Sequence, residues 1–205
     1  KHNKAIPRLF PVILLPKSEL NDDEYRKKHE ISSIKVPYNF IIGKEPEEIN
    51  REYCSLIEST KTCSKEDVKK SWVYFWVVMR FWYSSLLTHT AITMKNVYDI
   101  EYKMFFDAFM FWMKITDGWL NKNFYVPIYK NILTSNISLI PDHKENNESM
   151  KILVDNLNLV YEEVKLFMRD AFNLEKYEIA IIIEKQIELV NVEEIASNGW
   201  RKDIT

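Results

Sequence analysis

The chain reads as all-α, a helical bundle, and three observations say so. Only 3 glycines occur in 205 residues, so the positive-φ turns of a hairpin-rich β fold are scarce. Hydrophobic residues make up 46% of the chain and aromatics 14%, enough apolar surface for one substantial core. Large apolar side chains recur at three- and four-residue spacing over long stretches, which is the period of a helix.

The strongest such stretch is Ser71 to Tyr83, SWVYFWVVMRFWY, and the fold is expected to assemble around it. Trp72, Phe75, Trp76, Met79 and Trp82 form one stripe, while Val73, Val77, Val78 and Phe81 make the opposite face apolar too. A helix apolar on all sides belongs in a core or in a membrane. From Ser71 to Met94 the titratable groups are Arg80 and His89. An arginine near the middle of a span costs roughly 2.5 kcal/mol or more, so membrane insertion is not expected. The helix is read as the central post of a single helical domain, residues 1–205.

Residues 1–16, KHNKAIPRLFPVILLP, read as an extended arm, because Pro7, Pro11 and Pro16 block a continuous helix. Ser18 is placed to cap a short polar helix with acids first and bases last. Arg26, Lys27, Lys28 and His29 make its end the densest basic cluster in the chain. Residues 31–45 read as a loop with a short extended piece, VPYNFIIG. Pro46 is suited to a first helical turn, and Ile49, Tyr53, Leu56 and Ile57 predict a helix ending near Thr60. Ser64 and Asp67 form a capping-box pair at the start of the central helix. The same Ser-x-x-Asp pattern suits an acid-directed kinase. Lys65, Lys69 and Lys70 crowd that helix start, making it a candidate phosphate site.

Thr88 to Asn96 reads as a polar link, followed by a second aromatic helix over Tyr98 to Leu120 that Gly118 ends or loosens. Its Tyr102, Phe105, Phe106, Phe109 and Trp112 repeat the first stripe thirty residues on. A duplicated helix pair and a shared helical period both account for that match. Lys103, Asp107, Lys114 and Asp117 give this helix a narrow polar stripe. A shorter helix is expected within Asn123 to Ile140, and residues 141–149 read as a surface loop. Leu153, Leu157, Val160, Val164 and Phe167 predict a helix from Met150 to about Phe172. After a turn at Asn173 and Leu174, Tyr177, Ala180, Ile181, Glu184 and Ile187 predict another, ending near Val192. The two read as an antiparallel hairpin with an acidic outer face. In the tail beyond it, Trp200 reads as a docking residue.

Chemistry is harder to find. So few glycines leave no room for a phosphate loop or dinucleotide fingerprint. Of the four histidines, His2, His29 and His143 lie in the arm, the basic cluster and the loop, and His89 has no Ser, Cys or acid at ligand or triad spacing, so neither a catalytic residue nor a metal or other cofactor is expected. Cys54 and Cys63, nine apart, read as small thiols or as a pair close enough for a disulfide. The net charge is −2, but residues 1–141 carry 20 Lys/Arg against 16 acids and residues 142–205 carry 8 against 14. Any contact with nucleic-acid phosphate therefore belongs to the first two thirds. Arg80, flanked by Trp76 and Tyr83, is read as stacking on the rings and reaching a buried acid such as Asp107, or as a phosphate grip beside an aromatic platform.

Three stretches carry a family resemblance: KAIPRLFPVILLPKSELNDDEYRKKHE, KKSWVYFWVVMRFWYSSLLTHT and EYKMFFDAFMFWMKITDGWL. They resemble the gametocyte-specific 27-kilodalton sexual-stage protein family of malaria parasites, and the similarity runs over the whole chain. The Lys/Asn/Ile-rich composition, with the segment HKENNES, suits a parasite with an AT-rich genome. The resemblance implies an all-helical phosphoprotein built from two pseudo-dyad-related helix pairs. It also implies a homodimer, RNA binding and a role in early gametocyte development. It implies SH3-type partners as well, which the arm does not support: its proline gaps are four and five, so no PxxP occurs there.

The expectation is then a non-enzymatic RNA-binding homodimer, cytoplasmic or also nuclear, with no membrane insertion. Its RNA-contacting candidates are Arg26, Lys27, Lys28, Lys65, Lys69, Lys70 and Arg80. The alternative is a scaffold for protein partners without a nucleic-acid role, motivated by the apolar arm and the acidic C-terminal hairpin.

Overall fold

The computed structural model describes residues 13–37, 53–134 and 143–190, with side chains over 13–35, 53–132 and 148–190. The first twelve residues of the arm, most of VPYNFIIG, the start at Pro46, the first two residues of 141–149 and the tail around Trp200 lie outside these. The described residues are mostly helical, as expected, with one small sheet. They divide into two compact units, the first ending at Phe75 and the second beginning at Trp76, with Asn131 to His143 assigned to the first.

The first unit holds the sheet. β1 (Ile13–Leu14) and β2 (Ser32–Pro37) flank β3 (Tyr53–Ser59) on either side, both antiparallel to it. Ile13 and Ile34 both face Leu56 across the ladder, and the apolar centre is Leu14, Ile31 and Leu56. This corrects the helix expected to end near Thr60. Tyr53–Ser59 (YCSLIES) carries apolar residues at helix-like spacing, but two neighbouring strands satisfy its backbone. A pattern this short does not fix its own period. Before β2 comes α1 (Asp23–Lys28), capped by Asp22, whose Oδ1 accepts from the backbone N–H of Glu24 and Tyr25. Ser18 instead precedes a single 3₁₀ turn, Glu19–Asn21.

α2 (Lys65–Val78) begins as the sequence indicates. Ser64 Oγ accepts from Asp67 N at 3.1 Å, and Asp67 Oδ2 accepts from Ser64 Oγ at 2.6 Å and Ser64 N at 3.2 Å. These bonds hold the Asp67 carboxyl below the usual carboxylate range. The helix widens into a π-helical turn, Met79–Tyr83. Trp72, Val73, Trp76, Val77, Met79 and Phe81 are buried as expected of this stretch, while Phe75, Val78 and Trp82, expected to be hidden with them, are half-buried.

In the second unit, α3 (Thr88–Tyr98), α4 (Tyr102–Ile115), α7 (Leu157–Phe172) and α8 (Lys176–Leu189) form a four-helix bundle. α3 packs on α4 and α8, and α7 packs on α4 and α8, which closes the ring. α5 (Val126–Thr134), entered through a π-helical turn at Asn121–Tyr125, and α6 (His143–Asp155) complete the helices. Phe81 meets Phe109 edge-on at 4.8 Å and Phe124 at 5.2 Å, and Phe167 meets Phe105 at 5.4 Å and Phe109 at 5.0 Å. The three edge-to-face pairs among these, all but Phe109–Phe167, add about 0.5–1.5 kcal/mol each beyond area burial.

Several boundaries differ from expectation. The link at Thr88 to Asn96 is helix α3. Its threonines depress helix propensity, but Thr90, Ala91 and Met94 are buried in the bundle, and tertiary packing overrides weak propensity. The loop expected over 141–149 is helical from His143 onward. The single helix expected from Met150 to Phe172 breaks at Asn156, whose ψ of 31° is non-helical. On α8 the expected stripe is the wrong face: Tyr177, Ile181 and Ile187 are exposed, while Ile179, Ile182, Ile183 and Gln186 are buried.

Two helix starts explain otherwise odd residues. A helix leaves four N–H groups without partners at its N-terminus. Leu87 stands at the cap of α3 and has no side-chain acceptor to offer, so Gln186 of α8 supplies one. Its Oε1 accepts from His89 N and Thr90 N, both at 3.0 Å, and from Thr90 Oγ1 at 3.3 Å. Its Nε2 donates to Ser85 O at 2.7 Å. Beside it, Tyr161 Oη donates to Leu86 O at 3.2 Å, and burial pushes that phenol upward. Likewise Glu163 of α7 accepts from Trp119 N at 2.9 Å and Leu120 N at 3.2 Å. Gly118 makes room for this carboxylate, since a Cβ there would lie 2.3 Å from Glu163 Oε2.

Candidate nucleic-acid interface

Three lysines of the first unit, Lys27, Lys28 and Lys61, come together at one turn. α1 ends in a Schellman arrangement: Ile31 N donates to Arg26 O at 2.9 Å and Glu30 N to Lys27 O at 3.4 Å, with Glu30 left-handed at φ 51°. Ile31 is buried, which anchors the turn. Arg26 is half-buried and donates through Nη2 to Ser33 Oγ at 3.2 Å. Lys27 and Lys28 are exposed.

The far end of β3 comes to the same place. Ser32 and Ser59 hydroxyls lie 2.7 Å apart, and Thr60 pairs with Cys63 around a two-residue turn. In that turn Lys61 N donates to His29 O at 2.8 Å. Lys61, exposed, therefore stands beside the end of α1. Among the described residues, Lys27, Lys28 and Lys61 take part in no ion pair. Glu30 is the one carboxylate within the His29–Ile31 turn. The Tyr25 and His29 rings lie against each other one helical turn apart, centroids 4.3 Å apart and planes tilted by 32°.

The second expected cluster is differently placed. Lys65 Nζ lies 2.6 Å from Glu58 Oε1, a largely buried carboxylate, and Lys70 Nζ lies 2.9 Å from Glu66. Lys69 is half-buried. The start of α2 does not present bare N–H groups to a phosphate, because the Ser64–Asp67 box already occupies that position with a carboxylate. No protein-family model matches this chain, and no curated protein resembles it significantly.

Arg80 lies in the second unit at 0% exposure, with its Cζ 4.8 Å from the Trp76 ring centroid. Desolvation pulls its guanidinium down to about 9. The stacking half of its expected role is present. The phosphate-gripping half is not, since the group lies under the surface. Asp107 is not its acid: that carboxylate is half-exposed and pairs with Lys103.

Cys54 and Cys63 are both partly exposed. A disulfide between them is excluded by reach. Ser59 lies five strand steps from Cys54, about 16 Å at strand rise, and Cys63 pairs with Thr60 just beyond it, against a Cα limit near 7 Å. Among the described residues no group of His, Cys, Asp and Glu could hold a metal ion, and no helix is long and apolar enough to cross a membrane.

Sequence reasoning missed Lys61 and the Tyr25–His29 pair. The ring pair was readable, as an i,i+4 aromatic spacing at the end of a polar helix. Lys61 was not, because its place depends on β3 being a strand that returns to α1.

Proposed function

We propose that this chain is a non-enzymatic RNA-binding helical protein, working as a homodimer in early sexual-stage development of a malaria parasite, in the cytoplasm or nucleus. The observation that carries RNA binding is the turn where Lys27, Lys28 and Lys61 come together without ion-pair partners among the described residues. Arg26, held by Ser33, adds charge beneath them. Uncompensated lysines on one turn bind phosphate through counterion release. The neighbouring Tyr25–His29 rings suit bases that are free to stack, which favours single strands over duplex. The homodimer and the developmental setting rest on the sequence resemblance.

The test is a salt titration of single-stranded RNA binding to the full chain and to its Lys27→Glu/Lys28→Glu/Lys61→Glu variant. Each lost phosphate contact should flatten the log–log slope by about 0.7, so roughly 2 in all. A variant with an unchanged slope would clear this turn of the role. A full chain without salt-dependent RNA binding would leave the protein-scaffold reading in its place.

A further inference from the structure

α4 carries a second surface that the RNA reading leaves unused. Its buried side, Phe105, Phe106, Phe109, Trp112 and Met113, fills the bundle. Yet Met104, Phe111 and Ile115 are 60%, 61% and 63% exposed, with half-buried Ala108 between them. Residues 104, 108, 111 and 115 follow the 4-3-4 spacing of a coiled-coil seam. On α7, Leu159 and Leu166 are exposed too. They share a flank with Glu163 and with Asp170, which bonds Trp112 Nε1 at 3.1 Å. Large apolar side chains are therefore exposed on both helices, and on α4 they line up along one seam. Apolar residues exposed together on one face mark interaction sites.

We infer that this face pairs with a second copy of the same chain, α4 against α4 in antiparallel register about a two-fold axis between positions 109 and 110. It deepens the homodimer of the proposed function by assigning the contact. Size and charge both choose this occupant. In that register Phe111 lies over Ala108 of the second copy and Ala108 receives the partner's Phe111, a large ring over a small side chain on each side. Met104 meets Ile115 in the outer layers. One flank of the seam carries Asp107 and Lys114, seven residues apart. Antiparallel pairing sets each Asp107 against the other copy's Lys114, giving two symmetric ion pairs. Within one chain Asp107 pairs with Lys103, while Lys114 takes part in no ion pair among the described residues. The other flank, Phe105 and Trp112, is covered by α7, so the two α7 helices would border the seam on the same side with their Leu159 and Leu166.

The experiment is sedimentation equilibrium on the full chain, with circular dichroism confirming that each variant is folded. All substituted side chains are at least partly exposed, so the fold is expected to survive. Phe111→Glu should weaken the dimer about 100-fold or more. Asp107→Lys alone and Lys114→Asp alone should each weaken it about tenfold by setting like charges face to face. The combined Asp107→Lys/Lys114→Asp chain should return to within about threefold of the unmodified one, because both pairs are merely reversed. A dimer indifferent to Phe111→Glu, or a combined variant no better than the singles, overturns this assignment while leaving the homodimer standing. An unmodified chain that stays monomeric overturns both.

Discussion

Gln186 is the most exacting test of the fold, because one buried amide satisfies groups from two places in the chain. Replacing it with leucine keeps the volume and removes the acceptor for His89 N and Thr90 N and the donor for Ser85 O. Three backbone groups then lose this partner, Thr90 N fully buried and His89 N and Ser85 O partly so. Each unsatisfied buried group costs about 1–2 kcal/mol, or about 3–6 kcal/mol together. Burying the leucine side chain offsets roughly 1.5 kcal/mol of that. The expected net loss is about 3 kcal/mol, which for a chain of this size lowers Tm by about 6–12 °C. Denaturant unfolding of Gln186→Leu measures the loss, with Glu184→Ala on the exposed side of α8 as the control. Amide exchange at His89 and Thr90 supplies the local signature, since those protons should lose protection beyond the global change. A loss under about 1 kcal/mol, with His89 and Thr90 still protected, would refute the claim that Gln186 caps α3.

Four further outcomes follow from the same geometry. Ser64→Ala should cost about 1 kcal/mol at neutral pH through loss of the α2 cap. Because the Ser64 bonds lower the folded Asp67 pKa, the stability they confer is present above the unfolded carboxylate value and fades as pH falls through the folded one. The unfolding difference between wild type and Ser64→Ala should therefore shrink in acid. Gly118→Ala and Glu163→Ala should each cost about 1 kcal/mol, and a double-mutant cycle should find them strongly non-additive, since both break the same cap. Glu30→Gly should raise stability by about 1 kcal/mol by relieving a left-handed non-glycine residue. It should also tighten single-stranded RNA binding by removing the turn's own carboxylate. Lys65→Ala and Lys70→Ala, whose ammonium groups already face Glu58 and Glu66, should move the salt slope of RNA binding less than Lys27→Ala, Lys28→Ala or Lys61→Ala.

Local chemistry was legible wherever a short-range rule suffices. The Ser64–Asp67 box, the turn at Asn173, the Lys103–Asp107 pair and the burial of the Trp72–Phe81 stretch were all readable from neighbours in the chain. The basic cluster at Arg26–Lys28 was equally plain, because charge density needs no fold to be counted. α8 shows where this stops. Its isoleucines surround the helix, so periodicity favoured the face of Tyr177 and Ile181, while packing on α3 and α7 buried the face of Ile182 and Gln186.

By itself, the sequence determined a helical protein, scarce in glycine and dense in rings, whose longest apolar run had to be hidden. Only the tertiary structure decided that Tyr53–Ser59 is a strand, that Lys61 stands beside His29, and that Gln186 and Glu163 close helices far from them in the chain. The reason is range. A cap or a turn within four residues is written in the local sequence, whereas a strand or an uncapped helix start is completed by groups that only folding brings near.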